Sequence, residues 1–118
     1  MAVTVSEIDN TMIKKITFSW TAVTTGTTSG SSTGSYDGEI VRVVATNTLT
    51  ANGTITLLDS DSNDLLKGAG TLTTGTTYLC PTTGGWIETL GAITNSPITF
   101  EHTVYPTTGT GSVYVYIR

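Results

Sequence analysis

The sequence predicts an all-β chain, a single antiparallel β-sandwich or small barrel, jelly-roll-like, with about eight strands and little or no helix. Three observations predict it. Threonine, stiff at χ1 and at ease on a pleated surface, occupies 28 of the 118 positions. Apolar residues recur at every second position in short runs bounded by Gly, Pro, Asn and Asp. Charged residues make up 12% of the chain, half of the roughly 25% usual in soluble domains, so a polar but uncharged coat is expected. A chain of this length fits one domain, 1–118.

Each element follows from its own pattern. Val3 and Val5 alternate with Thr4 and Ser6, so residues 1–10 read as an edge strand or an N-terminal arm. Ile8, Met12 and Ile16 stand at helical spacing, but Ile16, Phe18 and Trp20 share one strand face, and β-branched and aromatic content decides for sheet. Residues 24–35 (TTGTTSGSSTGS) hold no large apolar group to offset the entropy of ordering and read as a flexible loop. Ile40, Val41, Val43 and Val44 form a nearly continuous run, suited to a central strand buried on both faces. Asn52-Gly53 supplies the positive-φ pair of a two-residue type I′ hairpin, followed by the alternation Thr54-Ile55-Thr56-Leu57.

The run DSDSND at 59–64 is a polar turn, after which Leu65 and Leu66 return to the core. Thr71–Cys80 reads as a strand interrupted by Gly75 and ended by Pro81, with Leu72, Tyr78 and Leu79 as its buried side chains. A turn at Gly84-Gly85 precedes residues 86–93, a short strand or a single helical turn. Ile98, Phe100, His102 and Val104 share a face, and Val113, Val115 and Ile117 point inward with Tyr114, Tyr116 and Arg118 outward. Spacing leaves sandwich and barrel open. No fixed period appears, which excludes solenoids and propellers.

Chemistry is sparse. The formal net charge is −4, and five scattered basic residues, Lys14, Lys15, Arg42, Lys67 and Arg118, make nucleic acid an unexpected partner. The chain has neither a basic, apolar leader nor a run near the ~20 apolar residues of a membrane helix, so a cytosolic start and no membrane anchor are expected. Cys80 is the single cysteine, which precludes an internal disulfide and a thiolate metal cluster. Asp59, Asp61 and Asn63 begin like a calcium loop. Asp64 then stands where glycine belongs and Gly70 where the bidentate glutamate belongs, which excludes an EF-hand and favours a plain turn over a cation site.

Nucleophilic catalysis would require Cys80 to meet His102; the favoured reading makes Cys80 a small buried hydrophobe and His102 a hydrogen-bonded strand residue in or near the core. Glu7, Glu39, Glu88 and Glu101 would need a sugar-wide cleft to act as paired carboxylates, and GTTSGSSTG precedes a strand without the Gly-Lys-Thr ending of a phosphate loop. No catalytic, metal or cofactor residue is assigned, and the chain reads as non-enzymatic. Tyr114 and Tyr116, with Trp86, suit either an exposed aromatic ladder or a core, with protein contact favoured. Strand edges without blocking lysines point to self-assembly as a homo-oligomer.

The segments KKITFSWTA, the Gly/Ser/Thr loop, GSYDGEIVRVV and TITLLDSDSNDLLKGAG, closing on YVYIR, resemble in order and spacing small virion proteins of tailed bacteriophages. The resemblance covers residues 3–70 and the last strand; residues 71–101 depart from it. It implies a structural capsid decoration or cement protein on the capsid surface, assembled in the host cytoplasm, whose partner is the major capsid protein or another virion protein. The role would fall to Ala2, Val3, Thr4, Val5 and Ser6 for neighbour pairing, to the 24–35 loop with Thr27 and Ser31 for docking, and to Tyr114 and Tyr116 for subunit contact. A tail or head-fibre component, which would be elongated, is the alternative within virions. The rival of another class is a carbohydrate-binding β-sandwich module, which needs Trp20 and Trp86 exposed and coplanar.

Overall fold

Parity along the strands becomes burial. The structure, a computed structural model, describes residues 3–21, 27–48, 53–72, 75–79, 82–83, 86–87, 90–104 and 109–118. Among them are twelve strands and no helix: β1 (Val3–Ile8), β2 (Lys14–Thr21), β3 (Thr27–Ser31), β4 (Tyr36–Asn47), β5 (Gly53–Leu58), β6 (Thr71–Leu72), β7 (Gly75–Tyr78), β8 (Thr82–Thr83), β9 (Trp86–Ile87), β10 (Ala92–Ser96), β11 (Thr99–Val104) and β12 (Thr110–Ile117). All pair antiparallel. A large sheet runs β1-β2-β12-β4-β10, with β7 also on β4; a smaller sheet runs β3-β11-β5-β6, and β8 pairs β9 apart from both. The chain is thus an all-β antiparallel sandwich.

Between the two sheets lie Ile16, Phe18 and Trp20 of β2, Val43 and Ala45 of β4, Val113, Val115 and Ile117 of β12, Ile55 and Leu57 of β5, and Phe100 of β11, all buried. Full burial of each larger side chain stabilises by about 1.5–3 kcal/mol. Leu65 and Leu66 enter this core from the turn after β5, as their spacing predicts.

Long-range pairing overrides several local expectations. Asn52 itself lies outside the described residues, but β4 and β5 belong to different sheets, so no hairpin joins them. Their apolar faces meet across the core instead of lying side by side in one sheet. Residues 27–31 form a strand instead of loop, because pairing with β11 uses backbone groups and needs no large side chain. Gly30 also lets β1 lie close over β3, since a Cβ there would come within 2.8 Å of Val3 Cγ1.

The central strand β4 is buried on one face, because a two-layer sandwich leaves the other to solvent. Its register against β12 slips between Tyr116↔Arg42 and Ile117↔Ile40, so Val41 is the extra residue of a bulge and 38% exposed. Tyr78, expected inside, is 69% exposed. The reason is that β6 and β7 lie in different sheets and β7 restarts at Gly75, whose φ of 103 sets a new face outward. Residues 86–87 are strand, and Cys80, Pro81, Gly84 and Gly85 lie outside the described residues.

Two polar features stand against this apolar frame. Glu7, on β1, accepts hydrogen bonds from the Thr33 N–H (3.0 Å) and hydroxyl (2.8 Å), the Gly34 N–H (3.0 Å) and the Tyr36 hydroxyl (2.6 Å). Burial works against its charge, but these donors, Tyr36 foremost, hold the carboxyl at about 2. Burial and the Glu7 carboxylate push the Tyr36 hydroxyl up in turn. The edge strand is thereby tied to the turn between the sheets.

His102 is 1% exposed, and neither ring nitrogen has a hydrogen-bond partner among the described residues, against the expectation that it would be bonded; Trp20 Nε1 is in the same position. The ring centroid of His102 lies 4.8 Å from that of Trp20 and 6.2 Å from that of Phe100, so aromatic rings pack against the imidazole. Burial lowers its pKa to about 4.

Two outcomes follow from these groups. Glu7→Ala is expected to lower unfolding free energy at pH 7 by about 1.5–3 kcal/mol in urea titration. Because the folded carboxyl titrates at about 2 against an ordinary 4.5, its contribution is present above pH 4.5 and fades as pH falls toward 2, a loss that Glu7→Gln will not show. For His102 the folded pKa is also the lower one, about 4 against 6.5, so the unfolded chain takes up the proton first and stability declines as pH drops from 6.5 to 4. His102→Leu should flatten Tm against pH in that window and raise Tm at pH 5.

Candidate interaction surface

The outer face of the large sheet is built by register. Ile8 of β1 pairs Lys15 of β2, which pairs Tyr116 of β12, which pairs Arg42 of β4. One row away stand Ser6, Thr17, Tyr114, Val44 and Tyr78, contributed by β1, β2, β12, β4 and β7. These side chains share one face because the parity that sends Ile16, Val115 and Val43 inward sends their neighbours outward. The β4 bulge is what keeps Arg42 on this face while Ile40 stays in the core.

The contacts within the rows are cation–π. Lys15 Nζ lies 4.9 Å from the Tyr114 ring centroid and 5.7 Å from that of Tyr116, and Arg42 Cζ lies 4.3 Å from the Tyr116 centroid. Such contacts at exposed sites contribute about 0.5–1 kcal/mol each and hold the cations over the sheet. Among the described residues, neither cation pairs with a carboxylate. Lys15, Arg42, Val44, Tyr78, Tyr114 and Tyr116 line an open depression of ≈ 350 Å³. It continues into an apolar trough of ≈ 660 Å³ shaped by Ile8, Thr11, Met12 and Ile13 at the β1–β2 connection. Met12 is 85% exposed there.

The opposite end of the same face is hydroxyl-rich and satisfied from within. Ser19 Oγ and Ser112 Oγ stand 3.0 Å apart, and the Thr110 N–H donates to Thr48 Oγ1 at 3.0 Å. Chemistry that reaches outward is concentrated at the Lys15–Arg42 end.

Of the sequence-predicted residues, Tyr114 and Tyr116 lie on this face, half-buried beside the cations, and Thr4 and Ser6 are exposed on β1. Val3 and Val5, on the same strand, turn inward against the core. Ser31 is exposed but its hydroxyl meets Thr99 Oγ1 at 2.8 Å. Thr27 pairs Thr103 through the backbone, and Ala2 lies outside the described residues. Trp20 is 3% exposed and packed on Phe100, so it provides no sugar platform.

Sequence reading missed Lys15, Arg42, Tyr78 and the Ile8–Met12–Ile13 trough. The signal for Lys15 and Arg42 was strand parity opposite Ile16 and Val43, but no local feature placed 15, 42 and 116 side by side. The Asp59 carboxylate accepts the N–H of Asp61 and of Asn63, both at 2.9 Å, and Asp64 accepts those of Leu66 (3.0 Å) and Gly68 (2.9 Å), so both serve the turn itself. Among the described residues no cluster of His, Cys, Asp and Glu could hold a metal ion. No described helix is long and apolar enough to cross a membrane. Comparison with protein-family models, curated proteins and solved structures returns no match.

Because the trough residues contact solvent and not the core, Met12→Ser is expected to change unfolding free energy by less than about 0.5 kcal/mol. Ile16→Ala, one strand position from Lys15 and fully buried, should lower it by about 2–5 kcal/mol in the same denaturation experiment.

Proposed function

We propose that this chain is a non-catalytic structural virion protein of the decoration type, which binds an assembled capsid shell and stabilises it. The observation that carries the reading is the outer face of the large sheet, where tyrosines, two cations and an exposed apolar trough adjoin with nothing of the described chain covering them. Tyr, Arg and Met are the residue types that protein interfaces concentrate. Among the described residues the strand at the end of that sheet, β1, pairs β2 alone, and a sheet margin of this kind suits pairing with a neighbouring strand. Principal extents of 36 × 36 × 24 Å suit a plaque lying on a shell and favour decoration over an elongated fibre.

A module that binds the closed lattice better than free shell subunits shifts the assembly equilibrium toward the particle by mass action. No moving part is needed.

Purified particles are expected to contain the chain at high copy number, and its addition to particles stripped of it should raise their disassembly temperature. Tyr116→Ala should weaken particle binding by about tenfold, as loss of an interface anchor does. Particles that lack the chain, or whose melting is indifferent to it, would overturn the reading.

A further inference from the structure

We propose that the partner segment seated on this face is acidic: a stretch of another protein presenting carboxylates to Lys15 and Arg42 and an apolar side chain to the trough beside them. This assignment rests on the docking role proposed above and deepens it by naming the partner's chemistry.

Charge is the first argument. The chain as a whole carries −4, yet this face presents two cations held in place by tyrosine rings and, among the described residues, paired with no carboxylate. An incoming carboxylate meets donors already ordered on the sheet, so little side-chain freedom is lost on binding. Arg42 offers the planar fork that grips a carboxylate at two points, and Lys15 adds a point charge two strands away, on the other side of Tyr116.

Geometry selects among occupants. Stacking of a sugar needs a bare ring face, but Lys15 and Arg42 cover faces of Tyr114 and Tyr116. Two copies joined by a two-fold axis through this face would set cation against cation. An anionic lipid surface is favoured by about 1 kcal/mol per cation near it, and two cations in a chain of net −4 make a weak anchor. An acidic polypeptide with an apolar residue satisfies the cations and the trough together.

The test uses the full chain, labelled with nitrogen-15, and two blocked peptides, Gly-Glu-Leu-Glu-Gly and Gly-Gln-Leu-Gln-Gly. The glutamate peptide is expected to shift the amide signals of Ile8, Ile13, Lys15, Arg42, Tyr114 and Tyr116, with affinity falling at least fivefold between about 20 and about 300 mM salt. Lys15→Glu with Arg42→Glu should abolish those shifts while the dispersed amide spectrum of the folded chain persists, its Tm lowered only by the lost cation–π contacts, and Lys67→Glu, on the turn after β5, should leave the shifts intact. Equal shifts from the glutamine peptide, shifts mapping elsewhere, or none would overturn the assignment. So would concentration-dependent shifts at these residues without peptide, or sedimentation with phosphatidylglycerol vesicles in place of a peptide response.

The two proposals fail separately. If particles ignore the chain while the glutamate peptide binds through Lys15 and Arg42, the capsid role falls and the acid preference stands. If the double variant still binds particles and the peptide does not bind the native chain, the acid preference falls and the capsid role stands.

Discussion

Everything on the outer face depends on the insertion of the last strand between the second and the fourth. The C-terminal β12 pairs β2 along its whole length on one side and β4 on the other, so residues near positions 15, 42 and 116 become neighbours. Backbone pairing sets the spacing, and the burial of Val113, Val115 and Ile117 sets which face looks outward. A slip of one residue would send the tyrosines into the core and the valines into water. The hydrophobic demand of the inner face therefore holds the cation and tyrosine rows in place, although no apolar core residue takes part in them.

The same sandwich accepts a polar burden in its interior. His102 and Trp20 place three nitrogens that have no hydrogen-bond partner among the described residues next to aromatic rings, and each such group costs about 1–3 kcal/mol relative to a bonded one. The ring stack of Phe18, Phe100, Trp20 and His102 recovers part of this through packed π-surface. At the periphery the balance is reversed. Glu7 is supplied with four donors and closes the sandwich where β1 and the β3–β4 turn meet. Acid attacks both places, through the imidazole in the mildly acidic range and through the carboxylate below it.

Local signals succeeded where one residue type and one face decide the matter. The inward sets of β2 and β12, the return of Leu65 and Leu66 and the polar turn at 59–64 were readable because they need no knowledge of a partner strand. The Asn52-Gly53 signal failed because a turn propensity is small beside the apolar surface that β4 and β5 bury by crossing between sheets. The strand at 27–31 was invisible because its stabilisation lies in backbone bonds to β11 and in the closeness that Gly30 permits, neither of which leaves an apolar mark. Tyr78 was misplaced for a related reason: Gly75 resets the backbone between two strands of different sheets.

By itself, the amino-acid order determined that this chain is all-β, which residues of most strands are apolar and inward, and that the two C-terminal tyrosines face out. Those properties are carried by alternation, a relation between residues two apart. Only the tertiary structure decided which strands are neighbours, and with that the assembly of Lys15, Arg42, Tyr114, Tyr116 and the Ile8–Met12–Ile13 trough into one surface. Strand order follows from the joint burial of faces distant in sequence, an energy that belongs to pairs of segments and is written in neither member alone.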